Sequence, residues 1–351
     1  MAGTPEDPAA RPLDRDEAAP GAESADVDEA ADPAADAEQR SAIVERSGHG
    51  ERLDKWLVSL AGEFSRTYLQ TLIEGGQVHV DGRLVTACAR RLAAGQQVAV
   101  TLLPTPESRA FRPEPMVLAL LHEDAQLLVL DKPAGLVVHP APGNWSGTLL
   151  NGLLAHHPGA AALPRAGIVQ RLDKDTSGLM VVAKTLPAMT ALVRAIAARE
   201  VRREYLALVH GVPREARFSI DAPIGRDPVS RVRMAVVPGG KPARTDFERL
   251  TAGEGVAALQ CRLHTGRTHQ IRVHLASRGH PLVADALYGG REALGLRRQA
   301  LHACRLGFAH PASGAALQFE APPPADVAAA WSELAGGGDK RAAFDTMRPA
   351  G

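Results

Sequence analysis

The sequence predicts an α+β fold in more than one domain, and three observations carry that expectation. Short apolar runs of strand length recur, as in Leu127–Leu130 and Leu179–Val182, and suit strands buried on both faces. Stretches of helical spacing alternate with them: Leu53, Trp56, Leu57 and Leu60, then Met189, Leu192, Val193 and Ile196. A stretch holding Pro104, Pro106, Pro113 and Pro115 separates a small first group from a larger second one. The composition of 104–115 reads as a stiff, extended linker. With 351 residues, the chain is long enough for two or three domains with a sizeable core.

Charge narrows the classes of partner. Lys plus Arg and Asp plus Glu both total 40, but the balance hides an asymmetry. Residues 1–40 hold twelve carboxylates against Arg11, Arg15 and Arg40, a net −9 that leaves +9 on the remainder. A basic body with an acidic tail suits a protein that binds a polyanion. Residues 1–41 have almost no large apolar side chains and are expected to be a disordered acidic tail. Cys88, Cys261 and Cys304 are far apart and form no Cys-x-x-Cys pair, which argues against a disulfide framework or thiolate metal site. No apolar run approaches the roughly 18 residues of a membrane span, and no basic-then-apolar leader opens the chain. These features point to the cytoplasm, with no membrane partner.

Residues 42–103 read as one small domain. Leu53 to Leu60 is a helix, and Ser65 is placed to cap a second helix carrying Tyr68, Leu69, Leu72 and Ile73, ended by Gly75-Gly76. Val78 to Val85 is a hairpin turning at Asp81-Gly82, and Val98, Val100 and Leu102 alternate as a closing strand. This order resembles the S4 RNA-binding domain, whose pattern Arg-Leu-Asp-Lys-x-Leu is met by Arg52-Leu53-Asp54-Lys55-Trp56-Leu57. The resemblance implies RNA contacts at Arg52, Lys55 and Arg66.

The second domain is expected over 116–336, with 337–351 a flexible tail. It begins at Leu118 to Leu121. Leu127 to Leu130 is a buried strand, and Asp131 to Gly135 reads as a turn. Lys132 in that turn is either a phosphate contact or an ordinary turn lysine. Around 167–185, Ile168-Val169 and Leu179-Met180-Val181-Val182 flank a charged turn as two strands. Asp173 ends the first run, where the scaffold fixes its direction; Asp175 reads as a turn-capping carboxylate. Pro187 to Glu200 is a helix with Met189, Leu192, Val193 and Ile196 on one face. Arg202 to Val209 is a strand with Tyr205, Ala207 and Val209 on one face and Leu206 and Leu208 on the other. Arg226, Arg231, Arg233, Lys241 and Arg244 make 224–245 a basic loop or hairpin suited to RNA phosphates. Thr268 is placed to cap a helix ending at Gly279, with Ile271 and Leu275 on one face. His269 and His274 are five apart, so a helix turns them to different faces and no zinc pair is expected.

The segment Arg171-Leu172-Asp173-Lys174-Asp175-Thr176-Ser177-Gly178 resembles the signature of the RluA family of RNA pseudouridine synthases. Residues 203–207 resemble its (Lys/Arg)-x-Tyr-x-Ala motif, and 266–274 its Gly-Arg-Thr-His-Gln-x-Arg-x-His motif. The resemblance implies a catalytic domain on a mixed, mainly antiparallel β-sheet flanked by helices and loops. It implies that Asp173 is the indispensable catalytic residue, that Tyr205 packs on the target base, and that Arg272 pairs with Asp173. It places further RNA contacts at Lys132, Arg171 and Arg267. Two positions depart from the family pattern: Gln170 stands where a His is usual, and Ala284 where Gly is frequent. His280 to Gly289 and Leu301 to Ala303 match further blocks that read as structural.

Turning uridine into pseudouridine breaks the N1 glycosidic bond, rotates the base and rejoins it through C5. Nothing is added or lost, so no cofactor or metal is expected. The reaction needs a carboxylate, a surface for the loose base, and a site closed to water. An arginine beside the carboxylate favours its ionised form. Tyr205 stacks on uracil and is a candidate to assist loss of the C5 proton. The family branch that 139–169 resembles implies uridines of 23S ribosomal RNA in the helix 69 stem-loop. The expected partner is that RNA, free or in an assembling large subunit, and a monomer is expected. Two other classes stay open: a noncatalytic RNA-binding assembly factor, and a carboxylate-dependent hydrolase, for which Asp175 is the nearby second acid.

Overall fold

Antiparallel pairing organises both halves of the chain. The computed structural model describes residues 37–103, 110–230 and 232–336. The proposed tails over 1–36 and 337–351, part of the linker, and Arg231 lie outside the described residues. The chain divides into two units between Pro104 and Thr105.

The first unit contains β1 (Glu38–Ile43), α1 (Leu53–Leu60), α2 (Arg66–Glu74), β2 (Val78–Val80), β3 (Arg83–Leu84) and β4 (Gln97–Leu102), with sheet order β1-β4-β2-β3. Leu53, Trp56 and Leu57 of α1 join Leu69, Leu72 and Ile73 of α2 in a core with Val78, Val80, Val98 and Val100. Ser65 caps α2 as expected, its hydroxyl accepting from the Tyr68 amide at 3.2 Å. Asp81 and Gly82 both take positive φ, 50° and 74°, the backbone a tight two-residue hairpin needs. One expectation is corrected. The acidic tail was expected to run through 41, yet residues 38–41 already belong to β1, paired with β4 from Glu38↔Leu102 onward. An edge strand gains its hydrogen bonds from backbone, so the polar Glu-Gln-Arg-Ser sequence pairs without apolar side chains. Arg40 fastens it to the end of α1 through the Leu60 carbonyl and to the connection before α2 through Glu63.

The second unit contains β5 (Leu120–Glu123), β6 (Leu127–Lys132), α3 (Leu149–His156), β7 (Ser177–Ala183), α4 (Leu186–Ala197), β8 (Arg202–His210), β9 (Arg217–Asp221), β10 (Ile224–Arg226), β11 (Met234–Val236), β12 (Arg244–Ala252), β13 (Val256–Leu263), α5 (Gln270–Ser277), β14 (Leu301–Ala309), β15 (Ala316–Glu320) and α6 (Ala325–Leu334). Its main sheet runs β5-β6-β7-β14-β8-β13-β12-β9, with β15 also on β14. Among the described residues its one parallel pairing is β7 with β14, at His302↔Ser177 and Ala303↔Gly178. The sheet is thus mixed and mainly antiparallel. β10 and β11 form a separate hairpin, which gives the basic segment its structure. One face of the sheet packs Leu128, Met180, Tyr205 and Ala207 against α3 and against Ile271 and Leu275 of α5. On the other face α4 covers Val129 and Val181, and α6 covers Leu206 and Leu208.

Several boundaries differ from expectation. Ile168-Val169 is not a strand: Ile168 makes a single bridge to Val182, on the stretch of β7 beyond its short pairing with β14 at Ser177 and Gly178, and the pairing goes no further. The strand before the Pro133 turn runs on through Asp131 and Lys132. Val193 points outward from α4 at 42% exposure. Residues 110–115 are anchored on the second unit. Asn151 Nδ2 donates to the carbonyls of Ala110 (3.3 Å) and Arg112 (2.9 Å), and Gly147 N donates to Glu114 Oε2 (2.6 Å).

Gly178 shows why the charged turn ends in glycine. Its φ is +117°, and a Cβ there would lie 2.3 Å from the Ala303 carbonyl oxygen. Only glycine lets β7 enter beside β14. Ala284 is the converse case: a side chain held at φ 58°, where the resembled family often has glycine. An L-residue in that region is strained by roughly 1–2 kcal/mol. Ala284→Gly is therefore expected to stabilise the protein by up to about 1 kcal/mol, after the larger chain entropy of glycine is set against the relieved strain. Thermal or denaturant unfolding checks the sign.

Candidate active site

Asp173 opens a turn that other parts of the chain hold rigid. The Thr176 amide donates to the Asp173 carbonyl at 3.1 Å. Lys132 Nζ donates to the Lys174 carbonyl (2.9 Å) and also to those of Pro133 (2.8 Å) and Leu136 (2.9 Å). Arg298 donates to the Asp175 carbonyl (2.9 Å), and Gln299 Nε2 to Thr176 Oγ1 (3.1 Å). This corrects the reading of Lys132 as a phosphate contact. The side chain is fully buried, burial brings its ammonium down to about 8, and all three donors are spent on carbonyls. It fastens one loop to another. Asp175 is corrected too: its carboxylate makes no hydrogen bond among the described residues, and it is the backbone carbonyl that is used.

Arg272 reaches Asp173 from α5, 99 positions away in the chain. Its Nη1 donates to Asp173 Oδ2 at 2.9 Å. The rest of the guanidinium is clamped by Asp285, Nε to Oδ2 at 2.7 Å and Nη2 to Oδ1 at 2.9 Å. Arg272 and Asp285 are both buried. Burial works against the charge of Arg272, but the bonds to Asp285 and the charge of Asp173 outweigh it and hold the guanidinium above its ordinary range. The Tyr288 ring lies 5.0 Å from the guanidinium. Tyr288 accepts from the Met234 amide (3.0 Å) and bonds His269 Nδ1 (2.8 Å). His269 Nε2 in turn stands 3.9 Å from Asp173 Oδ1.

The helix start differs from expectation. Thr268 does not cap α5; His269 stands at the N-cap position, in a left-handed conformation with φ 56° and with no side-chain cap hydrogen bond. Thr268 Oγ1 instead accepts from Arg171 at 3.2 Å. His274 faces away from His269, bonded to Thr245 Oγ1 and the Ala222 carbonyl.

Tyr205 sits on β8 in the middle of the sheet. It lines, with Asp173 and Arg272, a cleft of about 980 Å³. Burial pushes its phenol up to about 12. As placed it is a neutral phenol, which can take up a C5 proton only by first giving up its own. Gln170, Arg171 and Arg267 line the same cleft, and the two arginines are exposed; Asp175 is not among the lining residues. In the first unit, Arg52 donates to both oxygens of the fully buried Asp54 (3.0 and 3.0 Å), and Arg66 donates to one of them (2.8 Å). Lys55 lies 3.2 Å from Glu51. Arg52 and Arg66 are thus held together on one buried carboxylate with part of each guanidinium exposed.

Sequence reasoning missed Asp285 and Tyr288, which it placed in a structural block. The available signal was an aspartate amid Leu282-Val283-Ala284 and Ala286-Leu287, since a carboxylate in an apolar run needs a buried cation.

A family model described as RNA pseudouridylate synthase matches residues 126–277, and an S4 domain model matches 51–98. A ribosomal large subunit pseudouridine synthase D of Neisseria meningitidis is 50% identical over 292 residues, covering 79% of this chain and 77% of that one. The chain belongs to the RNA pseudouridine synthases. A protein of the same name from Nitrosomonas europaea is 49% identical over 288 residues, covering 80% and 83%. An uncharacterised RNA pseudouridine synthase of Bacillus subtilis is 47% identical over 281 residues, covering 79% and 92%. Among solved structures, human RNA pseudouridylate synthase domain containing 4 shares the fold, with TM-score 0.50 at 24% identity, over 62% of this chain and 93% of that one. The enzyme is therefore an isomerase of uridine in RNA. Among the described residues no helix is long and apolar enough to cross a membrane.

The positions of Lys132 and Arg171 separate in one experiment. Lys132→Met leaves three carbonyls without their donor and is expected to slow single-turnover isomerisation at least about tenfold, with the salt dependence of RNA binding unchanged. Arg171→Ala is expected to lower that salt slope by about one phosphate. A shallower slope for Lys132→Met would restore its role at the RNA backbone.

Proposed function

We propose that this synthase converts uridines of 23S ribosomal RNA to pseudouridine, in the helix 69 stem-loop, with Asp173 as the catalytic carboxylate. The observation that carries the site is the 2.9 Å contact of Arg272 with Asp173 in the cleft that Tyr205 also lines. The target rests on the relatives named for the large ribosomal subunit and on the S4 domain.

The target uridine must leave its stack, which costs a few kcal/mol and least in loops. Exposed Arg171 and Arg267 at the cleft, and Arg52, Lys55 and Arg66 on the S4 unit, offset that cost through phosphates. The base then lies on Tyr205. Asp173 is 24% exposed at its side chain, open enough to meet the sugar while Arg272 holds it. It takes the ribose 2′ proton, the glycosidic bond breaks, and the freed base turns on the Tyr205 surface before rejoining through C5. The deeper wall, with Tyr205 7% exposed, limits water that would otherwise convert the break into hydrolysis. A hydrolase would want a second acid in the cleft, and Asp175 does not line it.

Asp173→Asn is expected to abolish isomerisation while leaving RNA affinity within about threefold. Retained turnover would remove Asp173 from its role. Mapping pseudouridines in ribosomal RNA from a strain lacking the protein is expected to show loss in helix 69 alone. Loss elsewhere in 23S RNA would move the target, and no loss would point to a noncatalytic role.

A further inference from the structure

A second buried guanidinium borders the cleft, and it has no counter-ion among the described residues. Arg203 is on β8, on the same face as Tyr205 two residues along, and lines the cleft beside it. The residue is 6% exposed, yet its Nε has no hydrogen-bond partner. No ion pair or hydrogen bond of its side chain is found among the described residues. The other buried arginines differ. Arg272 holds Asp173 and Asp285, and Arg305 holds Glu204 and Glu320. The loop over 263–267 closes above it: a Cβ on Gly266 would stand 2.9 Å from Arg203 Nη1. An unpaired buried cation is destabilising, and burial draws its pKa down. A buried donor left without a partner calls for an explanation, and a catalytic role or a bound anion is among the recurring ones.

Depth identifies the anion. Arg171 and Arg267, exposed at the same cleft, suit phosphates, which keep their water. Arg203 is buried next to the tyrosine on which the base lies. Resting on the assignment of Asp173 made above, we propose that Arg203 donates to a carbonyl oxygen of the detached uracil and stabilises its negative charge. When the C1′–N1 bond breaks, its electron pair leaves on the base and spreads over N1, O2 and O4. On the sugar, the C2′–H pair becomes the C1′=C2′ bond and the proton rests on Asp173. When C5 attacks C1′, that proton returns to C2′, and transfer of the C5 proton to N1 completes a neutral product. A fixed donor at the base oxygen acts where charge develops, the arrangement that lowers a barrier most.

The test measures single-turnover isomerisation, RNA Kd and melting temperature for Arg203→Met, Arg203→Lys and Arg203→Ala, with Asp173→Asn alongside. Arg203→Met is expected to slow the step by about 10²–10³-fold, to leave Kd within about threefold, and to leave the melting temperature equal or higher, because an uncompensated charge is removed. Arg203→Lys is expected to be intermediate, and added methylguanidinium to restore part of the rate of Arg203→Ala. Full activity in Arg203→Met would overturn the proposal. So would a rise in Kd matching the loss of rate, which marks a phosphate contact, or a lower melting temperature without chemical rescue, which marks a structural residue. An active Asp173→Asn would instead overturn the site itself.

Discussion

Arg272 is the constraint on which the active site depends. A guanidinium with so little access to water is tolerable only with its charge and donors matched. Asp285 takes one edge in a bidentate pair, leaving Nη1 for Asp173. The two acids therefore have different work. Asp285 is fully enclosed and fixes the cation, while Asp173 stays partly open to substrate. Three segments of the chain, near 173, 272 and 285, are brought together by that requirement.

The sheet supplies the rigidity the pair needs. β7 begins immediately after the Asp173 turn, and its close parallel approach to β14 demands Gly178. Lys132 and Arg298 grip successive carbonyls of the turn from opposite directions in the sequence. Basic side chains thus divide by depth. Those with surface in the cleft, Arg171 and Arg267, each donate to one neighbour and stay exposed, which suits the phosphate contacts proposed for them. Lys132 and Arg272, without such access, hold the catalytic segments in place. In the S4 unit the same economy appears on a smaller scale, where buried Asp54 orients Arg52 and Arg66.

Much of this was legible in the chain. The Ser65 cap, the Asp81-Gly82 turn and the alternation of Tyr205 with Leu206 are local, and local chemistry decides them. The meeting of Asp173, Tyr205 and Arg272 followed from a family resemblance, because no spacing reveals a contact across 99 positions. What failed depended on tertiary context. Lys132 reads as a turn lysine until the strand is seen to continue through it and its ammonium to point inward. Ile168-Val169 has strand composition, but its pairing with β7 stops at the single bridge from Ile168 to Val182. Glu38 to Ser41 lacks an apolar face, yet β4 offers it a backbone partner. Asp285 was hidden because its cation lies 13 residues upstream on a helix, and Arg203 because a missing counter-ion leaves no trace in sequence.

A double-mutant cycle on Arg272 and Asp285 tests the central claim most directly. Single-turnover rates would be measured for Arg272→Lys, Asp285→Asn and the double variant, each checked for folding. If Asp285 acts by fixing Arg272 against Asp173, each single change slows the reaction by about tenfold or more, and the double variant is little slower than the worse single. Rate losses that multiply would show the two side chains acting independently, and would contradict the account.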